Sequence, residues 1–210
     1  MTADDLVAML DYVGEAIHSA RDQLSALDRD IGDGDHGVSM DIGWRAIHES
    51  IHTLHQPSVS DVLGTAGSSF LQSVGATVGP LYATMFYALA KACHNKEVLT
   101  GLDAEPLFAA AIGALKRRSK AEVGDKTMMD VWIPALDAFE GAMGRGLAAA
   151  AAAALAAGGH GLHYTKDLAA GKGRASHLGD RSIGHVDPGA QSAWIILRSA
   201  IIWIQERYSV

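Results

Sequence analysis

Apolar residues recur at three- and four-residue intervals along almost the whole chain, while the alternating Val/Ile/Thr runs expected of a β-strand are nearly absent. This periodicity predicts an all-α fold. Thr2 is placed to cap a first helix with Asp5 three residues on, and Leu6, Met9, Leu10, Val13, Ile17, Ala20 and Leu24 form its apolar stripe. Further helical segments are expected at 37–53, 58–74, 80–94, 103–118, 127–142, 146–169 and 189–207, about eight helices in all. Pro80 suits a first helical position, Ser58 and Ser60 are candidate caps, and Gly158-Gly159 is expected to interrupt the seventh segment. The run Ala148 to Ala154 reads as a closely packed helix, because alanine is the best helix former.

Composition narrows the function. A chain of 210 residues, 49% hydrophobic and 20% charged, can bury its own core, and no linker-like stretch divides it, so a single domain over 1–210 is expected. The net charge of -7 offers no pull toward a phosphate backbone, which argues against direct nucleic-acid binding. The lone Cys93 reads as a core residue in a reducing compartment. The acidic N-terminus does not resemble an export signal, and Leu147 to Ala157 is too short to span a bilayer. The expectation is a cytoplasmic protein with no membrane association.

Four loops depart from ordinary turn composition. LDRDIGDGDHG (27–37) puts four carboxylates and three glycines in eleven residues ahead of a helix. It fails the EF-hand spacing, but Asp28, Asp33 and Asp35 suit magnesium, which completes its shell with phosphate and water; an acidic exposed turn is the alternative. The loop 73–80 leads small residues into a helix start, which favours an anion but is also ordinary turn chemistry. In 119–128 Asp125 separates Gly124 from Lys126, which rules out a P-loop and leaves Asp125 as a helix cap. The long loop 171–190 carries Arg174 and Arg181, either phosphate clamps or surface arginines, and Asp187-Pro188-Gly189 as a turn beside them. His48, His52 and His55 share a helix face, but Pro57 ends that helix and no carboxylate or Cys completes a site nearby, so they read as a solvated face. The cluster Lys116-Arg117-Arg118 with Lys120 suits a helix C-terminus.

Taken together, LDRDIGDGDHG (27–37), GPLYATMF (79–86), GDKTMMDVW (124–132) and GRASHLGDRSIGHVDPGA (173–190) resemble the nucleotide-binding L subunit (DhaL) of dihydroxyacetone kinase, over essentially the whole chain. The same domain forms the C-terminal part of the single-chain, ATP-using members. The resemblance implies an antiparallel barrel of eight amphipathic helices, with a nucleotide (ADP or ATP) and two Mg2+ ions held in loops at one end. It assigns the metals to Asp28, Asp33 and Asp35 and excludes Asp30. It assigns the nucleotide to His36, Gly37, Ser39, Thr77, Val78, Ser119, Thr127, Met128, Arg174, Asp187, Pro188 and Gly189, with Arg174 also orienting the transferred phosphoryl group.

The resemblance further implies transfer of a phosphoryl group to a short-chain ketose held on a separate K subunit, so that activity needs a partner. In some members the donor is ATP; in others bound ADP is rephosphorylated by a phosphotransferase-system M subunit. Three segments depart from the family pattern. Gly75-Ala76-Thr77-Val78-Gly79 stands where Gly-Gly-Ala-Ser-Gly is frequent, Ser39 where asparagine is, and Ser119 where glycine is. The altered loop at 76–78 motivates a second reading, a nucleotide-binding regulatory module that partners a transcription regulator without its own turnover. A third, a stand-alone Mg-dependent phosphohydrolase, follows from the carboxylate loop alone and ranks last.

Overall fold

The computed structural model describes residues 1–75 and 77–208, in which helices and no strands are found. Nine α-helices occur among these residues: α1 (Ala3–Ser19), α2 (Arg21–Ile31), α3 (His36–Ile51), α4 (Val59–Ser73), α5 (Val78–Ala92), α6 (Ala104–Ser119), α7 (Met129–Ala142), α8 (Leu147–Tyr164) and α9 (Pro188–Tyr208). None of the described helices is long and apolar enough to cross a membrane. All eight predicted segments are present. The ninth helix arises because the first segment divides at Ala20, where the backbone turns to φ -91° and ψ 0° before α2 begins.

The chain forms two compact units, one of Met1–Glu15 with Ser39–Lys120, the other of Ala16–Val38 with Ala121–Val210. The first is built around α4, α5 and α6, with the start of α1 and most of α3. Its helix starts follow the sequence signals. Thr2 and Asp5 exchange side-chain and backbone hydrogen bonds at 2.9 and 3.2 Å, and Ser58 and Asp61 form a second capping box. Ser60 instead donates to the Ala90 carbonyl. Pro80 falls in the first turn of α5, where its missing N–H costs no helical bond. Trp44 meets Phe86 edge-on, and Phe70 lies against Tyr82, filling the interior between the aliphatic stripes.

The second unit pairs α7 with α8 most extensively and sets α9 against both. Pro134 inside α7 has no N–H to give the Asp130 carbonyl, and the bare backbone of Gly161 packs onto that same carbonyl. A Cβ at 161 would stand 1.8 Å from the Asp130 oxygen, so only glycine allows this approach. Gly158-Gly159 does not interrupt α8. These glycines lie inside the helix and make room for Trp194 and Leu197 of α9. The alanine run before them is helical, with Ala150, Ala151 and Ala154 buried.

Candidate functional site

The acidic loop lies between α2 and α3, wholly within the second unit. Asp28, on the last turn of α2, is only 9% exposed, and its Oδ2 accepts the His36 backbone N–H, the first amide of α3, at 3.1 Å. That bond fixes one carboxylate oxygen and ties it to a helix N-terminus. The two helices can approach here because residue 37 is glycine; a Cβ there would lie 2.0 Å from the Arg21 carbonyl. Asp33 and Asp35 project from the loop into solvent, and one ligand oxygen from each of Asp28, Asp33 and Asp35 lies within 4.8 Å of the others. Asp30 points elsewhere, with its carboxylate 3.5 Å from His185 Nδ1.

Carboxylates this close repel one another, and Arg174 supplies the opposing charge. Its guanidinium pairs with Asp33 and stands 3.4 Å from Asp35. Desolvation raises the Asp33 carboxyl, but the charge and hydrogen bond of Arg174 outweigh it and hold that group below the usual carboxylate range. Arg174 opens a run of 3-10 turns over Arg174–Ser182. Ala175 anchors that run by packing with Ile31 of α2 and Ala170, with Leu178 against them. The long loop is therefore ordered, and its arginine is aimed by an apolar clip.

His36 is buried, and its Nε2 lies 3.0 Å from Ser192 Oγ of α9. Ser192 has one proton, and its contact with the Gly189 carbonyl, which can only accept, uses it. His36 Nε2 is then the donor. Burial pushes the His36 imidazole below its ordinary pKa, and the nearby Asp28 and Asp35 charges oppose that shift. Asp187-Pro188-Gly189 is a helix start rather than a free turn. Asp187 Oδ2 accepts the Ala190 amide at 2.7 Å and Pro188 takes the first helical position, which presents the N-terminus of α9 beside His36. Gly189 also faces the Met128 amide, so the 124–128 loop reaches the same helix end.

Two residues that the sequence pattern did not single out organise that loop. Lys126 is 1% exposed, adopts a left-handed backbone with φ 59°, and donates from Nζ to the carbonyls of Thr165 and His185, each at 2.5 Å. Asp130 is fully buried and accepts the amides of Gly124 and Thr127 at 2.6 and 2.7 Å. Asp125, expected as the cap, instead accepts the Glu122 amide. Burial pushes the Asp187 carboxyl up to about 7, while the Ala190 amide and the Lys126 charge pull the other way. A lysine in a non-Walker context gives no pattern that announces burial, whereas Asp130 at three residues after Thr127 is a readable backbone-capping spacing.

The second unit thus brings together Asp28, Asp33, Asp35, His36, Gly37, Thr127, Met128, Arg174, Asp187, Pro188 and Gly189. The other four predicted residues belong to the first unit. Ser39 is half-buried on α3, Thr77 is exposed just before α5, Val78 is its first residue, and Ser119 is the last residue of α6. Ala76, in the same small-residue loop, lies outside the described residues.

A family model described as the DAK2 domain matches residues 30–201. The chain is 33% identical over 208 residues to the ADP-binding subunit DhaL of the PEP-dependent dihydroxyacetone kinase of Escherichia coli (strain K12), covering 98% of this chain and 99% of that protein. It is 37% identical over 195 residues to the ADP-binding subunit DhaL of PEP-dependent dihydroxyacetone kinase 1 of Listeria innocua, covering 91% and 92%. Its fold is shared with part of the dihydroxyacetone kinase from C. freundii, solved in complex with AMP-PNP and Mg2+, with a TM-score of 0.71 and 22% sequence identity. The match takes in 92% of this chain and 32% of that longer one.

Proposed function

Because the chain belongs to the DAK2 domain family, together with the DhaL subunits it matches over nearly its full length, we propose that it is the nucleotide- and Mg-binding subunit of a dihydroxyacetone-type kinase. The reading is that it transfers a phosphoryl group to a short-chain ketose held on a separate K subunit. The match spans both compact units, which supports treating 1–210 as one domain of this type.

The observation that carries the reading is the convergence of three carboxylates, an arginine and two helix N-termini in one unit. The donor set fits a hard divalent cation: every candidate ligand is a carboxylate oxygen, and Asp33 and Asp35 are half-exposed, leaving positions open to phosphate and water. A guanidinium already occupies the cationic position against Asp33 and Asp35. Cations held by Asp28, Asp33 and Asp35, two in this reading, would neutralise charge on the transferring phosphoryl group.

The chain's own groups do the rest. With the His36 amide taken by Asp28, the next amides of α3, from Gly37 onward, present positive partial charge to phosphate oxygens, as does the start of α9. Asp28 keeps one oxygen on the His36 amide, so its orientation is set before any ligand arrives. His36 stays uncharged and braces α9 through Ser192, while Arg174 swings between carboxylate and phosphoryl oxygens that offer it the same planar fork. Thr127 and Met128 are held by Asp130 and Lys126 at the side where the nucleotide would lie.

The test is turnover. The purified chain is combined with the ketose-binding K subunit of a related dihydroxyacetone kinase, Mg2+, dihydroxyacetone, and either ATP or a phosphotransferase-system donor that includes the M subunit. Formation of dihydroxyacetone phosphate should require both proteins and fall at least a thousandfold in Asp33→Asn/Asp35→Asn. Bound ADP with no turnover in any combination would favour the regulatory module, and turnover by the chain alone would overturn the partner requirement.

A further inference from the structure

A second cluster of metal-ligating side chains lies in the other unit, on the rim of the α1–α3 packing. Trp44 and His48 of α3, and His52 immediately after its last residue, recur at four-residue intervals. Gly14 of α1 faces Trp44, whose ring would stand 3.7 Å from a Cβ at that position. Asp11, three residues earlier on α1, faces both histidines. Its Oδ1 is 2.8 Å from His48 Nδ1 and its Oδ2 is 2.9 Å from His52 Nε2, and the two imidazole rings are 4.6 Å apart. The sequence pattern offers the two histidines with Glu49 between them but not the carboxylate that faces both; that third ligand comes from 37 and 41 residues away.

We propose that Asp11, His48 and His52 form a binding site for a zinc-class transition-metal ion that pins α1 to α3. Two histidines at i and i+4 present their nitrogens on one helix face, the spacing by which a His-Glu-x-x-His helix holds zinc, and residues 48–52 read His-Glu-Ser-Ile-His. One ligand atom from each of the three residues lies within 4.8 Å of the others, and a tetrahedron with bonds of about 2.05 Å needs ligands roughly 3.3 Å apart. The facing nitrogens bind as lone pairs, so each neutral ring keeps its proton on the opposite atom, His48 Nε2 and His52 Nδ1. Three ligands leave the fourth tetrahedral position to water.

The chemistry separates this site from the acidic loop. Two imidazole nitrogens and one carboxylate prefer Zn2+, Co2+ or Ni2+, whereas Asp28, Asp33 and Asp35 offer only hard oxygen and suit Mg2+. The ligand side chains are partly exposed, 60% for His48, 48% for His52 and 32% for Asp11, so they are open to metal from solution and their replacement leaves the apolar core untouched. Zinc here acts on the first unit by cross-linking two helices, and the inference stands whether or not the kinase reading holds.

The experiment uses the full chain without an affinity tag, stripped with chelator, and titrated with Zn2+ and separately with Co2+ in excess Mg2+. The expected result is one strongly held Zn2+ equivalent, visible bands of tetrahedral Co2+, and an upward shift of the melting temperature by about 5–11 °C at a hundredfold excess over Kd. Binding should weaken at least tenfold in His52→Ala and in Asp11→Asn, persist unchanged in Asp33→Asn, and in His52→Cys return with a thiolate-to-cobalt band. Absence of binding, displacement by Mg2+, or equal affinity in wild type and His52→Ala would each overturn the site.

Discussion

Asp187 is a half-buried residue whose protonation is at odds with a plain backbone role. It caps α9, yet burial raises its carboxyl from 3.8 to about 7, so the folded chain holds a proton there that the unfolded chain has released. Between about pH 4 and 7 the folded state binds more protons at this group, and its contribution to stability therefore falls as pH rises. His36 has the opposite sign: kept neutral by burial, it costs stability as pH drops below 6.5. In Asp187→Asn, which keeps a capping oxygen, the stability gained over wild type should grow as pH rises from about 4 to 7 and then level off, as read by urea unfolding at each pH. A difference independent of pH would contradict the assignment. Lys126 is the counterpart, a buried cation that ties the 165 and 185 carbonyls beside this cap. Motif spacing exposed the carboxylates and Arg174, which the folded chain brings together. It did not expose Lys126 or Ser192, whose partners are backbone or side-chain atoms brought near only by the folded chain.

At the scale of elements, the α7–α8 pairing depends on a backbone contact that no periodicity encodes. Gly161→Ala would place a methyl 1.8 Å from the Asp130 carbonyl, forcing the helices apart at a cost of about 1–3 kcal/mol. Gly141→Ala, where nothing lies within 4 Å of the new Cβ, should instead stabilise by about 0.4–1 kcal/mol. Equal effects of the two, read by denaturant melts, would mean that the contact is not limiting. Helix positions were legible because apolar stripes and capping boxes such as Ser58/Asp61 are local. The break at Ala20 was not, since neither glycine nor proline marks it and α2 continues the helical register with the Leu24 amide on the Ala20 carbonyl. Gly158-Gly159 read as an interruption for the converse reason: a pair of glycines signals flexibility to a local rule, while here it makes room for Trp194.

On the scale of the whole molecule, the family match extends over 30–201 and the residues of the acidic loop, the 124–128 loop and the 174–189 segment meet within one unit. Three of the four motifs, 27–37, 124–132 and 173–190, lie far apart in sequence and acquire meaning because the helices return them to that unit, which is why the ordered set was informative where each loop alone left two readings open. The central claim is that this unit holds a nucleotide through metal. The direct measurement is a thermal-unfolding series on the chain alone with Mg2+, ADP, and both together, for wild type and Asp33→Asn. At a hundredfold excess over Kd, binding adds about 2.7 kcal/mol, a shift of roughly 5–11 °C for a domain of this size. The account predicts that shift in wild type with Mg2+ and ADP together, little with either alone, and none in Asp33→Asn; a full shift with ADP alone, or one that survives in Asp33→Asn, would contradict it.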